Sequence, residues 1–175
     1  VDSASDLFLN SLHTIDSQIR VVTQDEPQLA GMGTTLTALF ISGREISLLH
    51  VGDSRAYRLR GNDLDQLSAD HTVLQELLNK GVISASDAHD HPQRSMLTQA
   101  LMGEGNLEPA LQVFEGKIKD RYLLCSDGLT GVLSDKEIKS LIKGKSATEA
   151  VDALVDGTYI NGAPDNVTIL IADLV

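Results

Sequence analysis

Apolar residues recur at Phe8, Leu12, Ile15, Ile19 and Val22, steps of four, three, four and three that predict one face of an amphipathic helix over 8–22. Polar residues with Pro27, Gly31 and Gly33 fill 24–33, and that composition predicts a loop. Two runs rich in apolar and β-branched residues, 35–41 and 45–51, flank Ser42-Gly43-Arg44 and predict a β-hairpin. A third strand is predicted over 54–60, where Ala56, Arg58 and Arg60 share one face and Arg55, Tyr57 and Leu59 the other, a half-exposed alternation. Gly61-Asn62-Asp63 then turns the chain.

Val73, Leu74, Leu77 and Leu78 predict a helix over 72–80, with Asp70 or His71 as its cap and Gly81 just past its end. A short polar helix is expected over 84–91, capped by Ser84 and stopped by Pro92, with a further amphipathic piece at Met96, Leu97 and Leu101. Strands resume at 110–114 and 121–125. Ser134-Asp-Lys-Glu137 and Ser146-Ala-Thr-Glu149 are capping boxes, in which hydroxyl and carboxylate satisfy free backbone amides, so two helices begin there. The last strand, over 166–175, alternates Val167, Ile169 and Ile171 with Thr168, Leu170 and Ala172 and reads as apolar on both faces. This order departs from the strand–helix alternation of a parallel α/β sheet and predicts an α+β fold, with antiparallel sheets facing one another and helices packed outside.

Composition narrows the function. The chain has 175 residues, enough for a single domain over 1–175, and at this size a fold hides roughly 70% of the unfolded surface. Its 14 Lys+Arg stand against 25 Asp+Glu, a net charge of −11, which opposes binding to phosphate backbones and argues against a nucleic-acid partner. Aromatic residues are 3%, with no Trp, so base-stacking platforms are missing and the core must be aliphatic. The apolar stretches at 36–41 and 167–175 are far below the ~20 residues that span a bilayer, which argues against a membrane partner. One cysteine, Cys125, and no basic segment followed by an apolar one at the start predict a reducing, cytoplasmic setting. The first residue is Val1 rather than Met, so the expectation is a processed chain or a piece of a longer one.

The candidate chemistry lies in three aspartates placed where an apolar strand meets a turn: Asp53 in His50-Val-Gly-Asp-Ser-Arg55, Asp127 in Cys125-Ser-Asp-Gly128 and Asp165 in Ala163-Pro-Asp-Asn166. Small neighbours let a carboxylate approach an ion, and several such carboxylates repel one another unless a cation neutralises them. Oxygen-only ligands suit Mg²⁺ or Mn²⁺, which hold a phosphoryl oxygen and turn a bound water into a nucleophile. Asp before Gly, Ser or Asn is also ordinary turn chemistry, and only the set of three points to a cation.

Six strings extend the pattern: Gly31-Met-Gly-Thr-Thr-Leu36, His50-Val-Gly-Asp-Ser-Arg-Ala-Tyr57, Ser68-Ala-Asp-His-Thr72, His91-Pro-Gln-Arg-Ser-Met-Leu-Thr98, Leu123-Leu-Cys-Ser-Asp-Gly-Leu129 and Pro164-Asp-Asn-Val167. In this order they resemble the metal-dependent type 2C serine/threonine protein phosphatases, the PPM family, in its compact bacterial branch. The resemblance implies a β-sandwich of two antiparallel sheets flanked by helices, with a flap over the site at about 72–101. It implies that Asp127 and Asp165 are ligands of one ion of a binuclear Mn²⁺ or Mg²⁺ centre and that Asp53 shares a further, weaker site with Asp127. Asn166 would buttress Asp165, and Ser126 and Gly128 would shape the turn around Asp127. The implied reaction is in-line attack of a metal-held water on phosphoserine or phosphothreonine, with no phosphoenzyme. The implied partners are a phosphorylated protein and an opposing serine/threonine kinase.

The chain departs from the family at its start. The family's Asp-Gly string with the metal-bridging aspartate, its upstream acidic ligand, its phosphate-binding arginine and its general acid all precede the first helix, and none is in 1–30. Asp2, Asp6, Asp16 and Asp25 all lack a following Gly. The catalytic acid and arginine are therefore not assignable in this chain, which alone is expected to hold at most part of its metal, because ligand number and charge set the affinity for hard cations.

Other motifs offer less. Gly31-Met-Gly-Thr-Thr lacks the Gly-Lys-Ser/Thr ending of a phosphate loop and reads as a turn into a strand. Asp63-Leu-Asp65 fails as a calcium loop, with Ser68 at the sixth position and Leu74 at the twelfth. His89 and His91 bracket Asp90 without the Cys/His partners of a structural zinc site. Cys125 reads as a core thiol. Tyr57 with Arg55, Arg58 and Arg60 could either receive a phosphopeptide or protect an edge strand from aggregation. Two function classes follow: a phosphoprotein phosphatase, or a catalytically inactive module of the same fold that binds a phosphoprotein or regulator. Retention of carboxylates at three turns favours the first.

Overall fold

The computed structural model describes residues 4–84, 93 and 95–175. The short polar helix expected over 84–91 and the pair His89 and His91 lie outside the described residues, apart from Ser84. The elements are α1 (Ala4–Asp25), β1 (Leu36–Ser42), β2 (Glu45–Val51), β3 (Arg55–Arg60), β4 (Asp63–Gln66), α2 (Val73–Asn79), β5 (Ala110–Glu115), β6 (Arg121–Cys125), α3 (Asp127–Thr130), α4 (Asp135–Ile142), α5 (Ala147–Ile160) and β7 (Ile169–Asp173). They form two antiparallel sheets, ordered β1-β2-β5 and β4-β3-β6-β7, with helices alongside, the α+β class expected. The chain divides into two compact units, 1–53 with 70–114 and 54–69 with 115–175.

In the first unit, Leu36 to Ser42 pair antiparallel with Val51 to Glu45 across a tight turn in which Gly43 takes a φ of +60°. One face of β2 carries Leu49 and Val51, which with Leu101 meet Leu12 of α1 in a cluster joined by Phe8, Leu9 and Ile19. The helix stripe is rotated slightly from the expected one. Ile15 and Val22 remain exposed, and the buried position is Asp16. Its carboxylate accepts from the amides of Gly103 (2.8 Å) and Gly105 (3.0 Å), while Arg20 Nε donates to the Gly103 carbonyl at 2.5 Å. A buried carboxylate is tolerable when backbone amides satisfy it. Gly103 is required there, since a Cβ would meet the Arg20 backbone at 2.6 Å.

The piece around Met96, Leu97 and Leu101 is not helical. Leu97 and Leu101 instead make isolated bridges to Thr72 and Thr34. The cap of α2 is Thr72, whose hydroxyl accepts from the Gln75 amide, rather than Asp70 or His71. Gly81 follows the helix at a φ of +66°, in the place expected for a helix stop.

In the second unit β3 lies between β4 and β6, so it is not an edge strand. Its alternation is more buried than expected, with Ala56 and Tyr57 fully enclosed, and Tyr57 and Leu59 pack into a core of helix side chains. Arg58 pairs with Asp65 at 2.7 Å and Arg60 with Asp120 at 2.6 Å, so two of the arginines proposed to receive a phosphopeptide are held by ion pairs within the sheet. The short β4 went unrecognised in the sequence, where Asp63-Leu-Asp-Gln66 has no β-branched residue. Both capping boxes form, Ser134 with Glu137 and Ser146 with Glu149, and they set the starts of α4 and α5. Those helices supply Ile138, Ile142, Ala150 and Leu154 to a core closed by Tyr57, Leu123 and Leu129. Arg121 spans the sheet to Asp173 with two bonds of 2.6 and 2.7 Å and donates to the carbonyl of Ile142. Among the described residues β7 pairs with β6 alone, and Leu170 on it is half exposed, so one face of this strand, read as apolar on both, is open.

Candidate metal centre

The second unit builds its site where β6 ends. Cys125 is the last residue of the strand and is buried, as expected of a core thiol. Ser126 leaves the strand with extended backbone and Asp127 opens α3. Ser126 works as a staple to the segment entering β7: its amide donates to the Thr168 carbonyl (3.0 Å), its hydroxyl accepts from the Thr168 amide (3.0 Å), and that hydroxyl donates to the Asn166 carbonyl (3.4 Å).

Gly128 completes the junction. A Cβ on it would stand 2.2 Å from the Asn166 carbonyl oxygen and 2.9 Å from its carbon, so only glycine lets the start of α3 and the 165–167 turn touch. Asp127 and Asp165 each immediately precede a residue of that contact, and both are exposed. The turn that presents Asp165 includes Ala163 in the left-handed region, φ +37°, a conformation that costs a non-glycine residue about 1–2 kcal/mol. Asp165 Oδ1 accepts from the Asn166 amide at 2.7 Å, which fixes its first torsion. Beside it lies a cavity of about 540 Å³ lined by Tyr159, Ala163, Pro164, Asp165, Asn166 and Val167. A larger groove of about 800 Å³ runs along α1 past His13, Ser17 and Val21 and contains no carboxylate.

Gly128→Ala is expected to lower stability by about 1–3 kcal/mol, because the methyl group meets backbone that cannot swing aside. It should also weaken Mn²⁺ binding by spreading the two aspartates. Thermal unfolding and a Mn²⁺ titration check both effects, and an unchanged unfolding midpoint would contradict the contact.

Asp53 belongs to the first unit, half-buried in the turn after β2. The preceding Gly52 is hydrogen-bonded to His71, a residue expected from the sequence only as a possible helix cap and not as part of the site. The signal was available: a glycine between an apolar strand and a candidate ligand marks a place where another chain segment approaches closely. Burial lowers the affinity of the His71 ring for a proton, an effect that Asp70 opposes.

The donor set fits a hard divalent cation in kind, since Asp127 and Asp165 offer oxygens only and sit on loops pressed together by Gly128 and Ser126. It is incomplete in number: among the described residues no three of His, Cys, Asp and Glu come together as a metal-holding group. Among them also, no helix is long and apolar enough to cross a membrane.

Residues 4–157 match the family model of protein phosphatase 2C. The chain is 43% identical over 160 residues to the serine/threonine protein phosphatase PstP of Mycobacterium tuberculosis, covering 91% of this chain and 31% of that protein. The catalytic domain of PstP, solved in complex with two manganese ions, superposes with a TM-score of 0.84 at 40% identity, over 91% of this chain and 66% of that one. The serine/threonine phosphatase Stp1 of Staphylococcus aureus superposes with a TM-score of 0.93 at 30% identity, over 100% of this chain and 70% of that one. The chain therefore spans about a third of the length of the first curated relatives that it matches and some two thirds of their catalytic domain. With a family match over most of its length, the same class of fold and glycine-packed aspartate loops at the end of β6, this chain belongs to the protein phosphatase 2C family.

Proposed function

We propose that the protein is a metal-dependent serine/threonine protein phosphatase. The observation that carries this reading is the Gly128–Asn166 contact, which brings Asp127 and Asp165 onto touching loops at one sheet end. A fold alone needs no carboxylates there, and acidic oxygens exposed on touching segments are the donors that a hard cation takes. The named activity of the similar proteins, serine/threonine phosphatase, supports the same reaction.

In this reading Asp127 and Asp165 hold one Mn²⁺ or Mg²⁺ of a binuclear centre, and Asp53 contributes to a further, weaker site. Bound there, the ions polarise the phosphoryl oxygens and lower the pKa of a water so that it can act as nucleophile. The chain's own residues supply placement. Ser126 and Gly128 lock the Asp127 turn, and the Asn166 amide holds the Asp165 carboxylate in one orientation. No side-chain nucleophile is needed. The segment over 72–101 is read as a flap of this single catalytic domain, and the substrates as phosphoserine and phosphothreonine proteins made by an opposing kinase. A buried lone thiol and an acidic surface suit the cytoplasm.

The test is hydrolysis of p-nitrophenyl phosphate with Mn²⁺ and with chelator, by this chain and by a form extended at its N-terminus to the length of the solved relatives. Turnover by the extended form, only with metal, is the expected result. Absence of turnover by both, while both stay folded, would favour a non-catalytic module that binds a phosphoprotein or regulator.

A further inference from the structure

β2 ends at Val51, and Gly52 follows at a φ of +108°. A Cβ on Gly52 would stand 2.3 Å from Thr35 Cγ2, so the backbone lies directly on that side chain. From another direction Gly52 is tied twice to one residue, 19 positions further on. Its amide donates to His71 Nδ1 at 3.2 Å, and the His71 amide donates to its carbonyl at 2.8 Å. His71 is itself anchored, because its carbonyl accepts from the Thr98 amide at 2.8 Å. Its ring lies 4.9 Å from that of His50, tilted by 45°, and the fully buried His50 places Nδ1 2.9 Å from Thr37 Oγ1. The imidazole is thus fixed in position by backbone on one side and by a second ring on the other. An Nδ1 that accepts a hydrogen bond carries no proton, so the neutral ring is the Nε2–H tautomer.

We propose that His71 is a positioning residue: as the Nε2–H tautomer it clamps Gly52 in its left-handed conformation and so fixes the direction in which Asp53 leaves β2. The proposal rests on the reading of Asp53 as a ligand for a divalent cation. Glycine alone cannot hold such a turn, because it is the residue with the most backbone freedom to lose. Two hydrogen bonds from one partner remove that freedom at the residue before the carboxylate. A residue that only filled space beside His50 could be replaced by phenylalanine without effect on Gly52. A residue that positions through its acceptor could not.

The experiment uses the full chain, ¹⁵N-labelled, with His71→Phe and His71→Asn. Asparagine places Oδ1 where Nδ1 stood and can still accept from Gly52, whereas phenylalanine keeps the ring volume and accepts nothing. Ring nitrogen shifts should show an unprotonated Nδ1 on His71 in the unaltered chain. Amide exchange at Gly52 should accelerate about tenfold in His71→Phe, the loss of one net hydrogen bond, and stay near the unaltered rate in His71→Asn. The Mn²⁺ concentration that broadens the Asp53 amide should rise in the phenylalanine variant and not in the asparagine one. A protonated Nδ1, or Gly52 exchange unchanged in His71→Phe, would overturn the clamp. If the phenylalanine variant does not fold, the ring tautomer and the asparagine variant decide the matter. An Asp53 amide that Mn²⁺ leaves sharp in the unaltered chain, with tautomer and exchange as expected, upholds the clamp and overturns the assignment of Asp53 to a cation.

Discussion

Asp127→Asn, introduced into the N-terminally extended form, is expected to reduce Mn²⁺-dependent hydrolysis by about a hundredfold or more, since residues that merely orient metal ligands already cost 10–100-fold when changed. The amide keeps the shape of the carboxylate and one acceptor oxygen but removes the charge that draws a hard cation. Stability should stay within about 0.5 kcal/mol, because Asp127 is exposed and the amide keeps the shape of the side chain. Initial rates across a Mn²⁺ series, read beside thermal unfolding, separate the two effects. Turnover equal to that of the unaltered protein would remove Asp127 from the metal site.

Asp120→Ala is expected to have the largest effect on folding, about 2–4 kcal/mol, less than for a wholly buried ion pair because the Arg60 side chain is 30% exposed and can turn to water. The Asp120 side chain is 1% exposed and its oxygens are fully engaged. They accept from Arg60 Nε (2.7 Å) and Nη2 (2.6 Å), the Lys117 amide (2.7 Å) and the Tyr122 hydroxyl (3.2 Å). Truncation leaves an amide and a phenol without their acceptor, and neither can reach water at no cost.

The same residue shapes the acid response. Burial raises the Asp120 pKa, but the Arg60 guanidinium, the Lys117 amide and the Tyr122 hydroxyl outweigh it and hold the carboxyl below its ordinary value. The hydrogen bonds from Arg121 do the same for Asp173. A carboxylate with a lowered folded-state pKa stabilises the fold fully above its unfolded value of about 3.9, and that contribution is lost as pH falls through the lower, folded value. Stability should therefore drop steeply below about pH 4, with a shallower drop in Asp120→Ala, where one of the two groups is gone. Urea midpoints between pH 2 and 6 measure the slope, and identical slopes in the two proteins would refute the assignment.

Periodicity and turn chemistry carried most of the fold, since local signals suffice for local structure. The helix stripe of α1, the hairpin about Gly43 and both serine capping boxes need only neighbouring residues to be read. The misreadings share one physical origin. Asp16 replaces Ile15 on the buried side of α1 because amides of Gly103 and Gly105, 87 and 89 positions away, satisfy its carboxylate. Leu97 and Leu101 form bridges rather than a helix because Thr72 and Thr34 pair with them. β3 is interior because β6 arrives beside it, and no pattern within β3 records that arrival. The site was legible in part for the same reason. Small residues beside strand-end aspartates can be read locally, and the structure gives Gly128 and Ser126 the turn-shaping contacts expected of them. What Gly128 touches, and what holds Gly52, depends on residues that only the fold brings near.

The division of the second unit into 54–69 and 115–175 has a consequence for how the chain emerges from a ribosome. The β3–β4 hairpin is the first part of this unit to be translated, but the partner of Arg60 lies 60 residues later and that of Arg121 lies 52 residues beyond Arg121. A two-stranded hairpin is marginal on its own in water, so it gains a stable sheet only once β6 has left the exit tunnel. The whole of 70–114 is made while β3 waits, and its Tyr57 and Leu59, buried at completion, stay open to solvent or to a chaperone during that interval. The strand beside Asp127 thus reaches its final pairing only when β7, the last strand of the unit, has been synthesised.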